Sequence, residues 1–476
     1  MTAGGQPVEP GVPRFGQPVE PGTTGFGQPV EPWAAELGQP VWKDRHAPAS
    51  PSPSDGVPGG LRGALAEPTV PVSALWTTLL ALANLGLWMG YFGPLQVLLP
   101  LQVEQIDAAH KTTLLGIATG VGAFVAALLN PVFGAMSDRT TSRFGRRRPW
   151  AVAGGLFGFA GMAFLAGQTT IAGVALGWCL AQAGLNAMQA AITASVPDNV
   201  PVRQRATVSG WIGAPQSLGV VVAVVLVTTV TTGIASGYLL IGALAFLLVI
   251  PFALFTRDPQ LPGELRPPFS WGDFLRGFWI SPRRHPDFAW AWGTRFLVQL
   301  GNAMGTLYLL YYLKDQVHYE QVFPGKKAED GLLVLILIYT AAAVMATIVG
   351  GVISDRSGRR KRSVTVSGLL MAVPGVTLAL WPTWPVAMAS AVVMGIGFGA
   401  YLSVDQALVT QVLPAAEDRA RDLGVINIAS SMPQVLGPFL AGPLVSAFGG
   451  YPTLYLAVAV ITVIGSVMVR RIKSVP

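Results

Sequence analysis

From about Ser73 onward the chain alternates apolar runs of about 18–28 residues with short polar breaks, the length a helix needs to cross about 30 Å of hydrocarbon. Lipid offers no hydrogen-bond partners, so each run must satisfy its own backbone and be helical. Twelve runs lie near 74–100, 112–136, 149–168, 171–196, 206–230, 235–255, 288–313, 331–353, 363–381, 384–412, 423–447 and 452–470. The expected fold is an all-α membrane protein of twelve transmembrane helices. Hydrophobic residues make up 51% of the 476 and charged ones 12%, too few to solvate a soluble surface of this size.

The net charge of +7 would suit nucleic acid, but the positive residues fall in loops between runs, so no nucleic-acid partner is expected. The single cysteine, Cys179, lies in an apolar run, which excludes an internal disulfide or a Cys-based metal site. The four His sit at or beyond run ends, and no nucleophile–base pair or metal-ligand cluster emerges. An enzyme, a metal and a cofactor are therefore not expected.

Basic residues occupy alternate loops: Arg139–Arg148, Arg203 and Arg205, Arg257–Arg284, Arg356–Arg362, Arg419 and Arg421, and the end Arg470, Arg471 and Lys473. The intervening loops, Glu104–Lys111 and Lys314–Asp330, are charge-balanced. Positive side chains resist translocation, so the basic loops and both termini are expected in the cytoplasm, with the protein in the plasma membrane. Residues 1–72 carry a Gln-Pro-Val repeat at Gln6, Gln17, Gln28 and Gln39. Dense Pro forbids helix and leaves no apolar face, so this stretch reads as a disordered cytoplasmic tail, and nothing in it resembles a cleavable secretion signal. Residues 73–255 and 288–476 form two six-helix halves, joined by a loop at 256–287 with Pro267-Pro268.

The halves repeat one another. Gly134-x-x-x-Asp138-Arg139, followed by Gly145-Arg146-Arg147-Arg148, returns as Gly351-x-x-x-Asp355-Arg356 and Gly358-Arg359-Arg360, with Asp138 and Asp355 217 positions apart. Gln189-Ala-Ala-Ile-Thr193 through Pro197 aligns with Gln406-Ala-Leu-Val-Thr410 through Pro414 at the same offset, as Tyr91 does with Tyr308. Several coincidences at one offset argue for two parallel repeats facing each other across an axis along the membrane normal.

Gly-x-x-x-Asp-Arg with Gly-Arg-Arg between the second and third runs resembles the signature of the major facilitator superfamily, and the resemblance covers about residues 73–476. The longer first copy, with Ser142-Arg143-Phe144 before Gly145 and Pro149-Trp150 after, is similar to the sucrose/proton symporters and the glycoside–pentoside–hexuronide:cation symporters. The resemblance implies two pseudo-symmetric six-helix bundles and a latch of the outward-facing state at Asp138, Arg139 and Arg146, matched by Asp355, Arg356 and Arg359. It also implies a central cavity lined by the first, fourth, seventh and tenth helices. Two departures stand out. Asn130 replaces the carboxylate that melibiose-type sodium symporters carry before Pro131, which disfavours sodium coupling of that kind. The fourth run likewise lacks the acid of plant sucrose symporters.

Polar stripes at helical spacing occupy those four helices: Asn84, Trp88 and Tyr91; Gln182, Asn186 and Gln189; Arg295, Gln299 and Asn302; and Tyr401 and Asp405 beside Gln406. Such groups do not face lipid without cost, so they face protein or water, as interhelical glue or as a solute site. Amides bond hydroxyls and aromatic faces cover a pyranose, so the candidate hydroxyl-binding residues are these amides with Trp88, Tyr91, Tyr308 and Tyr401. Asp405 lies near the middle of the tenth run, where insertion costs roughly 2.5–3.5 kcal/mol, and persists only if paired, hydrated or protonated. Arg295 is its candidate counter-charge, as a proton switch or as a static pair.

The reading is a secondary transporter working by alternating access, most simply proton-linked symport of a sugar or glycoside by a monomer among membrane lipids. A proton-driven antiporter exporting lipophilic drugs or metabolites is the alternative. A non-transporting scaffold or receptor presenting the tail is the reading of another class.

Overall fold

A computed structural model describes Met1 and residues 68–265, 270, 272, 282–357, 360–411 and 419–473. The Gln-Pro-Val repeats and most of the central loop, including Pro267 and Pro268, lie outside the described residues. Twelve long helices are present among the described residues. The first half holds α1 (Ala74–Ile106), α2 (Lys111–Asp138), α3 (Arg148–Ala166), α4 (Ile171–Asn199), α5 (Val202–Thr229) and α6 (Ile234–Phe255). The second holds α7 (Pro286–Leu307), α8 (Ala328–Ser357), α9 (Arg360–Leu380), α10 (Trp384–Gln411), α11 (Arg419–Ala447) and α12 (Gly450–Met468).

Eleven of these are long and apolar enough to cross a membrane. The exception is α7, where Arg295, Gln299 and Asn302 dilute an otherwise apolar run, and a break at Tyr308 separates it from a short helix, Leu309–Asp315. A solute-lining helix has this composition, because one face meets water instead of lipid.

Local signals set the helix ends. The Ser73 Oγ accepts from Trp76 N–H and the Thr170 Oγ1 from Gly173 N–H, satisfying orphan donors at the starts of α1 and α4. Ahead of α1, Val72 exchanges two bonds with the Gln204 amide, tying the entry of the first helix to the start of α5. Within α1, residues Pro94–Leu98 form a π turn, with Leu99 N–H reaching the Pro94 carbonyl. Pro94 and Pro100 bring no N–H to the α ladder, and the wider turn absorbs the gap.

The two halves pack alike. In the first, α1 lies on α5 and α6, α3 on α4 and α6, and α2 on α4; in the second, α7 lies on α11 and α12, α9 on α10 and α12, and α8 on α10. Five matching pairings make the duplicated sequence a duplicated bundle. The α3–α4 crossing is lined by Gly154, Gly158 and Gly161 against Gly177, Ala181 and Gly184; Cβ atoms added at Gly154, Gly161, Gly177 or Gly184 would strike the facing backbone.

Between bundles the symmetry fails. The α2–α11 contact runs along much of both helices, while its counterpart, α5 on α8, is far smaller. A Cβ on Gly116 of α2 would sit 2.7 Å from the Pro438 carbonyl oxygen of α11, and one on Gly120 would meet the Phe439 ring at 2.5 Å. Replacing Gly116 with Leu is expected to prise α2 from α11. Faster labelling of a Cys placed at Thr112 checks this, and an unchanged rate would contradict it.

Candidate functional site

Three polar assemblies carry chemistry, one inside each bundle and one bridging them. In the first bundle, the Tyr91 hydroxyl donates to Gln189 Oε1 at 3.0 Å, and the Asn130 Nδ2 donates to Asn186 Oδ1 at 3.0 Å and to Gln189 Oε1 at 3.3 Å. Asn186 donates in turn to Gln182 Oε1 and to the Gln182 carbonyl. Helices α1, α2 and α4 thus share one amide network. Asn130 is its link to α2, a role that its identity as a missing carboxylate did not reveal. Asn84 bonds its own helix at the Leu80 carbonyl, and Trp88, half-buried, stacks on Phe92.

In the second bundle, Arg295 Nη1 lies 3.2 Å from Asp405 Oδ2, the Tyr401 hydroxyl donates to Asp405 Oδ1 at 2.9 Å, and Arg295 Nε donates to the Ser430 Oγ at 2.8 Å. The Asp405 side chain is 5% exposed. Both carboxylate oxygens are occupied, as an ionised acid requires at this burial. Ser430 ties the pair on α7 and α10 to α11, the helix that meets α2. Asp405 lies six residues, or about 9 Å, before Gln411, the last described residue of α10. On α7, Gln299 Oε1 and Asn302 Oδ1 are buried without a hydrogen-bond partner. The Gln406 side chain lies outside the described residues.

Tyr308 is placed apart from the other stripe residues. Fully buried, it donates to the Thr112 carbonyl at 2.9 Å across the bundle interface. It marks the third assembly, at the end opposite the basic loops. There Lys111 of α2 pairs with Glu104 and with Asp315, each at 2.8 Å, while Lys314 pairs with Glu104 at 2.7 Å and with Glu329 at 3.4 Å. The Tyr451 hydroxyl donates to Asp315, the Tyr311 hydroxyl donates to the Pro100 carbonyl, and Lys111 sits over the Tyr311 ring. Two of these ion pairs, Lys111–Asp315 and Lys314–Glu104, cross from one bundle to the other. Charge balance in these loops was legible in the sequence, but their pairing was not.

At the basic end, Arg146 and Arg147 both pair with Asp198 at the end of α4, and Arg147 also pairs with Asp138 and bonds the Ser137 Oγ. Asp258, just beyond α6, accepts the N–H groups of Arg147 and Arg148 at 2.6 and 2.8 Å, capping α3 from outside its own sequence. Among the described residues, the ion pairs at this end converge on Arg147, with Arg146 sharing Asp198, and they stay within the first bundle. Arg139 is half-buried. Arg359 and the side chains of Asp355 and Arg356 lie outside the described residues. Replacing Arg147 with Gln leaves Asp198 and Asp138 undercompensated and is expected to cost about 3 kcal/mol. A lowered unfolding midpoint in detergent, with Arg147→Lys intermediate because it loses the planar fork, is the check.

The family model described as Major Facilitator Superfamily matches residues 80–325 and again 325–476. The multidrug resistance protein Stp of Mycobacterium tuberculosis is 27% identical over 128 residues, a stretch covering 27% of this chain and 24% of that protein. Among solved structures, a mutant of the nucleoside transporter NupG superposes with a TM-score of 0.67 at 14% identity, over 84% of this chain and 99% of that one. A bacterial homolog to the human lysosomal transporter Spinster, in an inward-facing and unoccupied conformation, superposes with a TM-score of 0.62 at 17% identity, over 84% and 96%. With family-model matches across both halves, eleven helices long and apolar enough to cross a membrane and two repeated bundles, the chain belongs to the Major Facilitator Superfamily and is a multi-pass membrane transporter of small solutes, not an enzyme.

Proposed function

We propose that the protein couples proton movement to symport of a sugar or glycoside, with Asp405 as proton acceptor and Arg295 as its counter-charge. The observation that carries this reading is the pairing of two unlike polar sites: amides and a tyrosine hydroxyl on α1, α2 and α4 in the first bundle, and the buried Asp405–Arg295 pair on α10 and α7 in the second. A polyol needs donors and acceptors of no net charge, which the Tyr91–Asn130–Asn186–Gln189 network supplies. Gln299 and Asn302 add unpaired acceptors for hydroxyl donors. A buried acid that exchanges an arginine for a proton is a natural coupling device.

The basic loops support a cytoplasmic location for the 139–148 end and for both termini, by the positive-inside rule. The ion-paired end is then external, and the conformation is inward-facing, closed outside by Lys111, Lys314 and their partners. Protonation of Asp405 frees Arg295, whose Nε already bonds Ser430, and the change passes through α11 to the α2–α11 contact. The protein acts in this way as a monomer in the plasma membrane.

One observation favours a second reading: the stretch similar to a multidrug resistance protein supports proton-driven export of lipophilic compounds. Proteoliposomes decide. Acidifying the outside should drive accumulation of labelled sugar, and drug efflux without sugar uptake would overturn the proposal.

A further inference from the structure

At the basic end, away from all three assemblies, Arg143, Phe144, Arg148, Asn199, Arg257 and Asp258 line an open cleft of about 530 Å³. It lies where the loop between α2 and α3 meets the segment after α6. Its arginines differ from their neighbours. Arg146 and Arg147 are consumed by Asp198 and Asp138. Arg143, Arg148 and Arg257 form no ion pair among the described residues, and Arg148 Nε is buried without a hydrogen-bond partner. Arg143 lies over the Phe144 ring, which holds its guanidinium at the rim. Gln260 donates to the Arg143 carbonyl at 2.6 Å, so the rim is fixed rather than loose.

One negative group faces these three positive ones. Asp258 spends Oδ2 on the N–H groups of Arg147 and Arg148, and burial pushes its carboxyl up from the ordinary value against the pull of those two bonds. One carboxyl against three guanidinium groups leaves the cleft with an excess of positive charge. Next to the cleft, Leu254 and Phe255 at the end of α6 are exposed apolar side chains, as is Phe144. A guanidinium fork matches phosphate geometry, and this one stands where a helix leaves the apolar layer.

We propose that this cleft is a binding site for a phosphate-bearing anion, held by Arg143, Arg148 and Arg257. Two sources share that chemistry: the headgroup of an anionic phospholipid, whose chains would lie along Leu254 and Phe255, or a soluble phosphate compound. The site is independent of the solute pathway, since none of its residues belongs to the amide network or to the Asp405–Arg295 pair.

The test uses full-length protein, delipidated in detergent and supplied in turn with phosphatidylglycerol, phosphatidylcholine, inorganic phosphate and glycerol 3-phosphate. Native mass spectrometry is expected to show one phosphatidylglycerol retained under activation that strips phosphatidylcholine. In Arg143→Gln/Arg257→Gln, two exposed positions, retention is expected to fall about tenfold. If the soluble phosphates instead raise the unfolding midpoint of the wild type and displace the lipid, the anion site stands and its source is soluble. Equal retention of both lipids, with no response to either soluble phosphate, would overturn the proposal. So would retention unchanged in the variant. Arg257→Gln alone serves should the double variant fold poorly.

Discussion

Asp405→Asn is expected to turn an accumulating transporter into an exchanger. One proton per solute and a pH step of one unit supply about 1.4 kcal/mol, enough for about tenfold accumulation in the wild type. Without a titratable group at 405 the ratio should fall to about one, while exchange of labelled for unlabelled solute persists, because the amide network of the first bundle is untouched. The physical reason lies in the pair's geometry. Both Asp405 oxygens are occupied, by Arg295 and by the Tyr401 hydroxyl, so a proton displaces the guanidinium instead of filling a vacancy. The variant also isolates the static alternative. A merely structural pair, broken from one side, costs about 3–5 kcal/mol of stability and leaves coupling alone. Asp405→Asn/Arg295→Gln then separates the two roles: removing both charges should recover the unfolding midpoint without recovering accumulation. Accumulation by Asp405→Asn equal to the wild type would end the proton assignment.

How much of this was legible in the sequence follows from which physics is local. Spanning helices announce themselves by run length, and the duplication by Asp138 and Asp355 at a fixed offset, because lipid and topology act on each segment by itself. The Asp405–Arg295 pairing was within reach for a related reason: two isolated charges in apolar helices have few partners to choose between. The centrality of Arg147 was not legible, since Arg146, Arg147 and Arg148 are chemically identical and only the position of Asp198 and Asp258 in space sorts them. The hydrogen-bonding role of Asn130 was not legible either. Read as the absence of a carboxylate, it is in fact the donor that ties α2 to Asn186 and Gln189. Tyr308 shared an offset with Tyr91 but not its surroundings, because the two bundles are alike inside and unlike where they meet. On the proposed alternating-access cycle, the packing asymmetry between α2–α11 and α5–α8 belongs to one of two conformations that a repeated sequence would encode.

That asymmetry sets the second large effect, in Lys111→Ala/Lys314→Ala. The two lysines are the only cations among the described residues of a network whose acids are Glu104, Asp315 and Glu329, and each bridges both bundles. Their side chains are 13% and 19% exposed, so each pair is screened in part and worth about 1 kcal/mol rather than the value of a fully buried one. Removing both also leaves three acids facing one another. A combined loss of about 2–3 kcal/mol would multiply the population open at this end by about 30–150-fold. Spin labels at His110→Cys and Gln316→Cys, in a Cys179→Ser background, read the separation directly and should report a long-distance population that the wild type lacks. Salt supplies the control that distinguishes electrostatics from lost packing. Partly exposed ion pairs weaken as the Debye length shrinks, so high salt should open the wild type detectably, whereas in the double variant it screens the three remaining acids and should not open it further. Identical distance distributions in the two proteins, or equal salt sensitivity, would mean that Gly116, Gly120 and the tyrosines hold the bundles together and that the charges only decorate the seam.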